Sequence, residues 1–529
     1  MRLRFGSTAS FLACAIALLL WGCDWDRASP GTAGPGANAA APSVPADSDG
    51  IDQSPFDEIE PPAAPEALIA VGAPLRRDRP NLVLISIDTL RADRLGAYGH
   101  DRPTSPTIDR FAADAVLFEN AVSQAPVTAP SHATLFTGLY PEAHRVQNMF
   151  DGEQNTGAPP LAPQIPTLAE MLRAAGYATA ARVGGGNISP SIGFGRGFDS
   201  YVVLQAVHGW RAIEQFTVAS EVLSGLAGQP DPFFLFVHTY ETHAPYLPLP
   251  EYRSQFVDPD YAGRIIGDAD ELDRIAGGAY LSRHRAYFER VDRSSVADRR
   301  HLLDLYDACI RYADDAVAVL LDRIESLGIA DHTIVVLLSD HGEQFGEHGG
   351  FEHDALWQEV LHVPLVMRVP EGVRPGWHGR RVSETVGLVD VVPTLLALMD
   401  LPAPDHLQGH SLVARVEDDA DEPAWAFSQY RARKGTALLA GDWKWLHAEG
   451  TGPPMLFDLS IDPDEFMDRS EDRLEWRRTA AAKVRRIVAA SRGLWALAAA
   501  PEPVQPSEAT RRQLEALGYV DAPPRPDAP

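Results

Sequence analysis

A hydroxyl, two carboxylates and an imidazole stand where residues that do chemistry usually stand. Thr128-Ala129-Pro130-Ser131-His132 puts a hydroxyl just ahead of a proline. Proline fits the first turn of a helix, so the hydroxyl falls at the helix N-terminus, where free N–H groups and the dipole favour an oxyanion. Thr128 is therefore a candidate nucleophile, although a threonine before proline also reads as an ordinary helix cap. Asp88 closes the apolar run Pro80 to Ile87, and Asp340-His341 closes a second, Thr333 to Leu338. Ligands of open α/β sheets gather at such strand ends. Each aspartate also reads as a helix cap, and His341 as a surface histidine.

Taken together the segments resemble the sulfatase family of the alkaline-phosphatase superfamily. Thr128 to Gly138 is similar to its signature: Cys or Ser, any residue, Pro-Ser-Arg, several residues, then Thr-Gly. Ile87 to Asp93 and Ser339 to Glu343 resemble its metal-binding strand ends, in the same order. The resemblance implies that Asp88, Thr128, Asp340 and His341 hold one divalent cation. Three oxygens and an imidazole suit Zn²⁺ or Mn²⁺ better than Ca²⁺ or Mg²⁺. His238 to Tyr246 resembles the strand end that carries a substrate-facing histidine, here His243. His353, beyond the second strand end, is the candidate to protonate the leaving oxygen, a task suited to histidine near neutral pH. Gly387 to Leu396, Gln408 to Leu412 and Leu456 to Glu465 resemble later structural motifs of the family, so the likeness runs from Pro80 to about Ser470.

The departures bear on the reaction. Family members oxidise a cysteine or serine to formylglycine, a route closed to threonine, which carries a methyl and one hydroxyl. A covalent ester on Thr128 must be released by a second attack at its centre, which phosphorus allows in line with a metal neutralising the oxygens. His132 replaces the signature arginine, and Arg182 to Asn187 stands where sulfatases carry Gly-Lys-Trp-His; His132 and Asn187 are the substrate-binding candidates. Thr89 replaces the second aspartate of a common pair, and Thr239 an aspartate that two-metal relatives place four residues before a histidine. One metal is expected. The reading is a metal-dependent hydrolase of phosphate or sulfate esters with a threonine nucleophile, phosphodiester cleavage or phosphoryl transfer preferred. The alternatives are a sulfuric ester hydrolase without formylglycine and an inactive scaffold on the same fold.

Positioning such residues requires a sheet. Pro80 to Asp88, Phe233 to His238, Thr333 to Leu338 and Val363 to Met367 read as buried strands, with helices at Ile165 to Ala175 and Leu302 to Leu327. The alternation predicts an α/β fold with a doubly wound, mostly parallel sheet of alkaline-phosphatase/sulfatase type. Short strands after about Arg415 and a helix from Leu474 to Ala499 predict a small α+β C-terminal subdomain. The expected divisions are 1–22 leader, 23–78 tether, 79–415 catalytic domain, 416–499 subdomain and 500–529 proline-rich tail, the last with a short helix near Glu508 to Leu517.

The whole chain sets the compartment and the partners. Its 529 residues are 45% hydrophobic, enough for a large core, and carry a net charge of −27. That field repels phosphate backbones and no basic patch stands out against it, so nucleic acid is not an expected partner. Arg2 and Arg4 followed by the apolar run Phe11 to Trp21 read as an export signal, too short to span a bilayer. Leu20-Trp21-Gly22-Cys23 resembles a bacterial lipobox, which implies a lipid anchor on Cys23 and a domain facing the periplasm or exterior. The Ala-, Pro- and Gly-rich stretch that follows reads as a flexible tether. The substrate is expected to be a small-molecule, glycan or lipid ester; oligomeric state is not legible. Of the three cysteines, Cys14 lies in the leader and Cys23 at its end, which leaves only Cys309 in the folded body and excludes a disulfide framework there.

Overall fold

The computed structural model describes residues 76–148, 159–204, 211–276, 280–421, 424–450, 452–498 and 500–516. The leader, Cys23, nearly all of the expected tether and the last thirteen residues lie outside the described residues. Among the described residues no helix is long and apolar enough to cross a membrane.

The centre is one eight-stranded sheet. Its strands in chain order are β1 (Asn81–Ile87), β2 (Val116–Val122), β3 (Ala178–Val183), β4 (Ser200–Val203), β5 (Phe233–Thr239) and β6 (Thr333–Leu338). A two-stranded ribbon follows, β7 (Gln344–Phe345) and β8 (Phe351–Glu352), before β9 (His362–Arg368) and β10 (Arg381–Gly387) complete the sheet in the order β10-β2-β9-β6-β1-β5-β3-β4. All neighbours are parallel except β9, which runs antiparallel to both β2 and β6. β1, β5 and β6 are uninterrupted apolar strands because helices cover both faces. Leu82, Leu84, Phe234, Phe236, Ile334 and Val336 enter one core. Their alternates Val83, Ile85, Leu235, Val237, Val335 and Leu337 enter the other, as the two-residue period of a strand requires. The expected doubly wound sheet is thus present, with one strand reversed.

Local signals set the helix ends. The helix expected from Ile165 starts at Leu168, because Thr167 and Glu170 form a reciprocal capping box just after Pro166. The long helix runs Val296–Ser326, six residues earlier than its apolar pattern suggested, since Ser295 accepts a hydrogen bond from the Asp298 N–H. Cys309 is buried in that helix, a small core residue with its thiol pushed up by burial.

The C-terminal region forms a second, antiparallel sheet of β11 (Trp425–Tyr430), β12 (Gly435–Ala440), β13 (Trp443–Ala448) and β14 (Met455–Asp458). Helix Leu474–Ala496 covers one face of it through Ala480, Val484 and Ile487. The short helix expected in the tail is present as Glu508–Ala516; it buries Leu514 in the main core and sets Thr510 against Ser189.

Candidate active site

Three strand ends and one helix N-terminus meet at a single point. β1 delivers Asp88, β6 delivers Asp340 and His341, and β5 delivers His238, since β1 lies between β5 and β6. The helix Thr128–Thr137 starts opposite them, with Thr128 as its first residue and Pro130 in its first turn. Ser131 anchors it: its hydroxyl donates to the Asp340 carbonyl at 2.7 Å. Asn148 takes the Ala129 N–H at 2.9 Å, satisfying one of the open donors of the first turn.

The donor atoms of Asp88, Asp340 and His341 lie within 4.8 Å of one another, all fully buried. Thr128 Oγ1 is 3.5 Å from His341 Nε2. Asp88 Oδ1 and Asp340 Oδ2 are buried without a hydrogen-bond partner, a costly arrangement unless a cation completes it. His341 donates from Nδ1 to the Gly342 carbonyl at 3.0 Å, which leaves Nε2 as a lone pair directed at the carboxylates. Two carboxylates and one neutral imidazole therefore fit a divalent cation, with the Thr128 hydroxyl beside it.

The electrostatics agree. Burial, then the neighbouring Asp340 carboxylate, raises Asp88, because two buried carboxylates this close cannot both ionise without a cation. Burial pushes His341 down to about 4, against the pull of Asp340, and so keeps it neutral. Thr89, which follows Asp88, adopts φ 59°, a strained conformation for a β-branched residue. Its N–H reaches Asp340 Oδ1 at 3.3 Å, so the strain is held by a contact between the two strand ends.

The remaining candidates surround this point. His132 is fully buried beside Thr128, with Nδ1 2.9 Å from the Thr128 carbonyl and 3.3 Å from Asp340 Oδ2, and Nε2 3.0 Å from Ser86 Oγ. Both of its nitrogens are thus turned to the protein rather than to open space. Asn187 is buried in the turn after β3. His243 donates from Nδ1 to the Ala244 carbonyl at 2.8 Å, and burial lowers it to about 3. His353 packs on both His341 and His243, with ring centroids 4.5 and 5.2 Å away. Burial lowers it, but Glu343, 3.1 Å from Nδ1, outweighs that and holds it up at about 9, so it is cationic at neutral pH.

Two residues without a role in the sequence reading belong here. His238 Nε2 lies 3.4 Å from Asp88 Oδ2, its ring edge-on to His132 at 5.0 Å. Glu343 is buried and holds His353. His238 ends an apolar strand beside β1, and that was its one legible signal. A second grouping, His348, Glu359 and Glu465, also brings possible ligand atoms together. There the Lys444 ammonium, buried 2.7 Å from Glu465, already supplies the cation.

Comparison with known proteins places this geometry. The chain is 27% identical over 427 residues to an ulvan-active sulfatase of Formosa agariphila, covering 73% of this chain and 76% of that one. It is 23% identical to an N-acetylglucosamine-6-O-sulfatase of Bacteroides thetaiotaomicron, over 77% of this chain and 85% of the relative. The phosphonate monoester hydrolase of Agrobacterium radiobacter superposes with a TM-score of 0.63 at 24% identity, over 78% of this chain and 96% of its own, and so shares the fold. Residues 346–477 match the C-terminal region of N-sulphoglucosamine sulphohydrolase. The pattern of the Sulfatase family matches residues 80–401, a stretch that includes β1, the helix of Thr128 and the Asp340-His341 strand end, and the chain belongs to that family of hydrolases.

Proposed function

We propose that the protein hydrolyses anionic esters through a covalent intermediate on Thr128. The observation that carries this reading is the Thr128 hydroxyl, buried at a helix N-terminus 3.5 Å from His341 Nε2, beside two carboxylate oxygens that lack partners. A divalent cation held by Asp88, Asp340 and His341 supplies charge neutralisation for the ester oxygens. The chain does the rest. Thr128 Oγ1 forms a bond to the central phosphorus or sulfur as the bond to the leaving oxygen breaks, and its proton passes to the Asp88 carboxylate, whose Oδ1 has no hydrogen-bond partner. His353 gives its proton to the leaving oxygen, with Glu343 stabilising the cation beforehand. Water then attacks the same centre and gives a proton to the neutral His353 while the bond to Thr128 Oγ1 breaks, and Asp88 returns its proton to that oxygen. His132 keeps the nucleophile's backbone in register with Asp340, and His243 and Asn187 complete the pocket around the ester.

Threonine favours phosphorus as that centre, and phosphodiesters first, because a phosphothreonine is released by in-line attack whereas the aldehyde route of formylglycine is closed to it. Sulfate esters of glycans are the second reading, favoured by relatives named for ulvan and for N-acetylglucosamine 6-O-sulfate. One experiment separates them: intact mass of the wild-type protein and of Thr128→Ala after incubation with matched phosphate and sulfate esters. An adduct of phosphoryl or sulfuryl mass on wild type alone, with turnover of Thr128→Ala down on the order of 10³-fold or more, is expected. Equal turnover by the two proteins would remove Thr128 from the reaction. A purified domain without bound divalent cation or metal-dependent activity would favour the scaffold alternative.

A further inference from the structure

The helix Glu508–Ala516 stands far along the chain from the catalytic motifs, yet it is seated on their site. Ser507 caps it, accepting the Thr510 N–H at 3.1 Å. Thr510 and Leu514, four residues apart, share one face of the helix. Leu514 is fully buried in the core that also holds Ile188, Ile192 and Phe194. Thr510 is buried too, its hydroxyl 3.3 Å from that of Ser189 and 2.8 Å from that of Ser507. This face therefore rests on the turn Gly186–Ile188, which carries Asn187 and itself packs against the helix of Thr128.

The same short helix also packs against the helix Tyr280–Phe288, which belongs to the other side of the site. There His284 Nε2 lies 2.8 Å from Glu352 Oε1, and Glu352 directly precedes His353. Tyr287 stands edge-on to Tyr246, three residues past His243. The tail helix thus joins the Asn187 side of the pocket to the His353 side. The groups between them are closed off from solvent: Asp88, Thr128, Asn187 and His341 fully, with His353 and His243 only 4% and 5% exposed.

We propose that the helix Glu508–Ala516 is the outer wall of the Thr128 site and selects the substrate by size, admitting compact esters and excluding those carried within a polymer. A polymer needs a cleft open at both ends to run past the nucleophile, whereas a helix bridging the two sides turns that cleft into a pocket closed at one end. The proposal rests on Thr128 as the reacting group and adds which esters can reach it.

The test compares wild type with two variants: Leu514→Asp in the full chain, which sets a charge in the core and releases the helix, and removal of residues 500–529. The first readout is carbethoxylation of His243 by diethyl pyrocarbonate, followed by peptide mass. Labelling should rise about 10-fold in both variants as the wall opens. His144, fully buried and bonded to Thr134, should stay unlabelled and so certify the fold; should one variant label it, the other decides. The second readout is kcat/KM for one aryl ester, free and linked to dextran. The ratio of linked to free should rise about 10-fold in the variants, with the free ester within about threefold of wild type. Unchanged labelling of His243, or an unchanged ratio, would overturn the proposal. Labelling requires no turnover, so a wild type inactive on both esters would strike the reading of Thr128 while the wall is still decided.

Discussion

His353 is the residue whose surroundings say most about its task. Glu343 holds it cationic while His341 and His243 pack against it, an arrangement suited to donating a proton and to little else. If it protonates the leaving oxygen, His353→Gln should slow esters of poor leaving groups by about 10² to 10⁴ and esters of acidic phenols far less. The check is the slope of log kcat/KM against leaving-group pKa for both proteins. Parallel lines would assign His353 to packing instead. His132 raises the complementary point: an imidazole stands at the position of the signature arginine, and it is spent on the Thr128 carbonyl, Ser86 and Asp340. The imidazole at this position is thus engaged within the protein, against the Thr128 backbone.

At the scale of elements, the site depends on how tightly the end of β6 is sewn to the segment before β9. Gly342 donates its N–H to the Val360 carbonyl at 2.7 Å, and Glu343 donates to the Glu359 carbonyl at 3.1 Å. A Cβ at Gly342 would lie 2.1 Å from the Glu359 carbonyl oxygen, a contact no flexible side chain can relieve. The Gly342 carbonyl is also what orients the His341 ring. Gly342→Ala should therefore weaken divalent-cation binding about 10- to 100-fold, as loss of a ligand's orienting partner does, measured by chelator competition. An unchanged affinity would mean that the strand end yields without moving His341. In the main sheet and the long helix before β6, the elements legible in the sequence were those with one clear period: the apolar β1, β5, β6 and β9, and that helix. β2, β3 and β10 were not, because Glu119-Asn120, Arg182 and Ser383-Glu384 interrupt their apolar pattern, and β4 was not, being only four residues long; neighbours in the sheet make them strands.

On the scale of the whole molecule, Glu142 joins the catalytic and C-terminal regions. It accepts from Arg145 close by, Arg431 just past β11 and Arg492 on the long C-terminal helix. Burial pushes its carboxyl up, but the hydrogen bond from Arg492 and the fields of Arg431 and Arg145 prevail and hold it below the ordinary glutamate value. A depressed folded-state pKa stabilises the fold above the unfolded value, and this contribution is lost as pH falls from about 4.3 through the folded value. Unfolding free energy from denaturant titrations should thus decline over that acid range, and Glu142→Gln should remove part of the decline while lowering stability at pH 7. An unaltered pH profile in the variant would place the three arginines' partner elsewhere.

What the sequence by itself determined was the family, the candidate groups for its chemistry and where along the chain they lie. A nucleophile segment and two strand-end motifs are local patterns, and their order survives whatever the distant loops do. Only the tertiary structure decided that β5 lies beside β1, and so brings His238 to Asp88, and that Glu343 pairs with His353. Those relations join residues tens to hundreds of positions apart, and strand order, helix phase and burial set them; no local spacing encodes them.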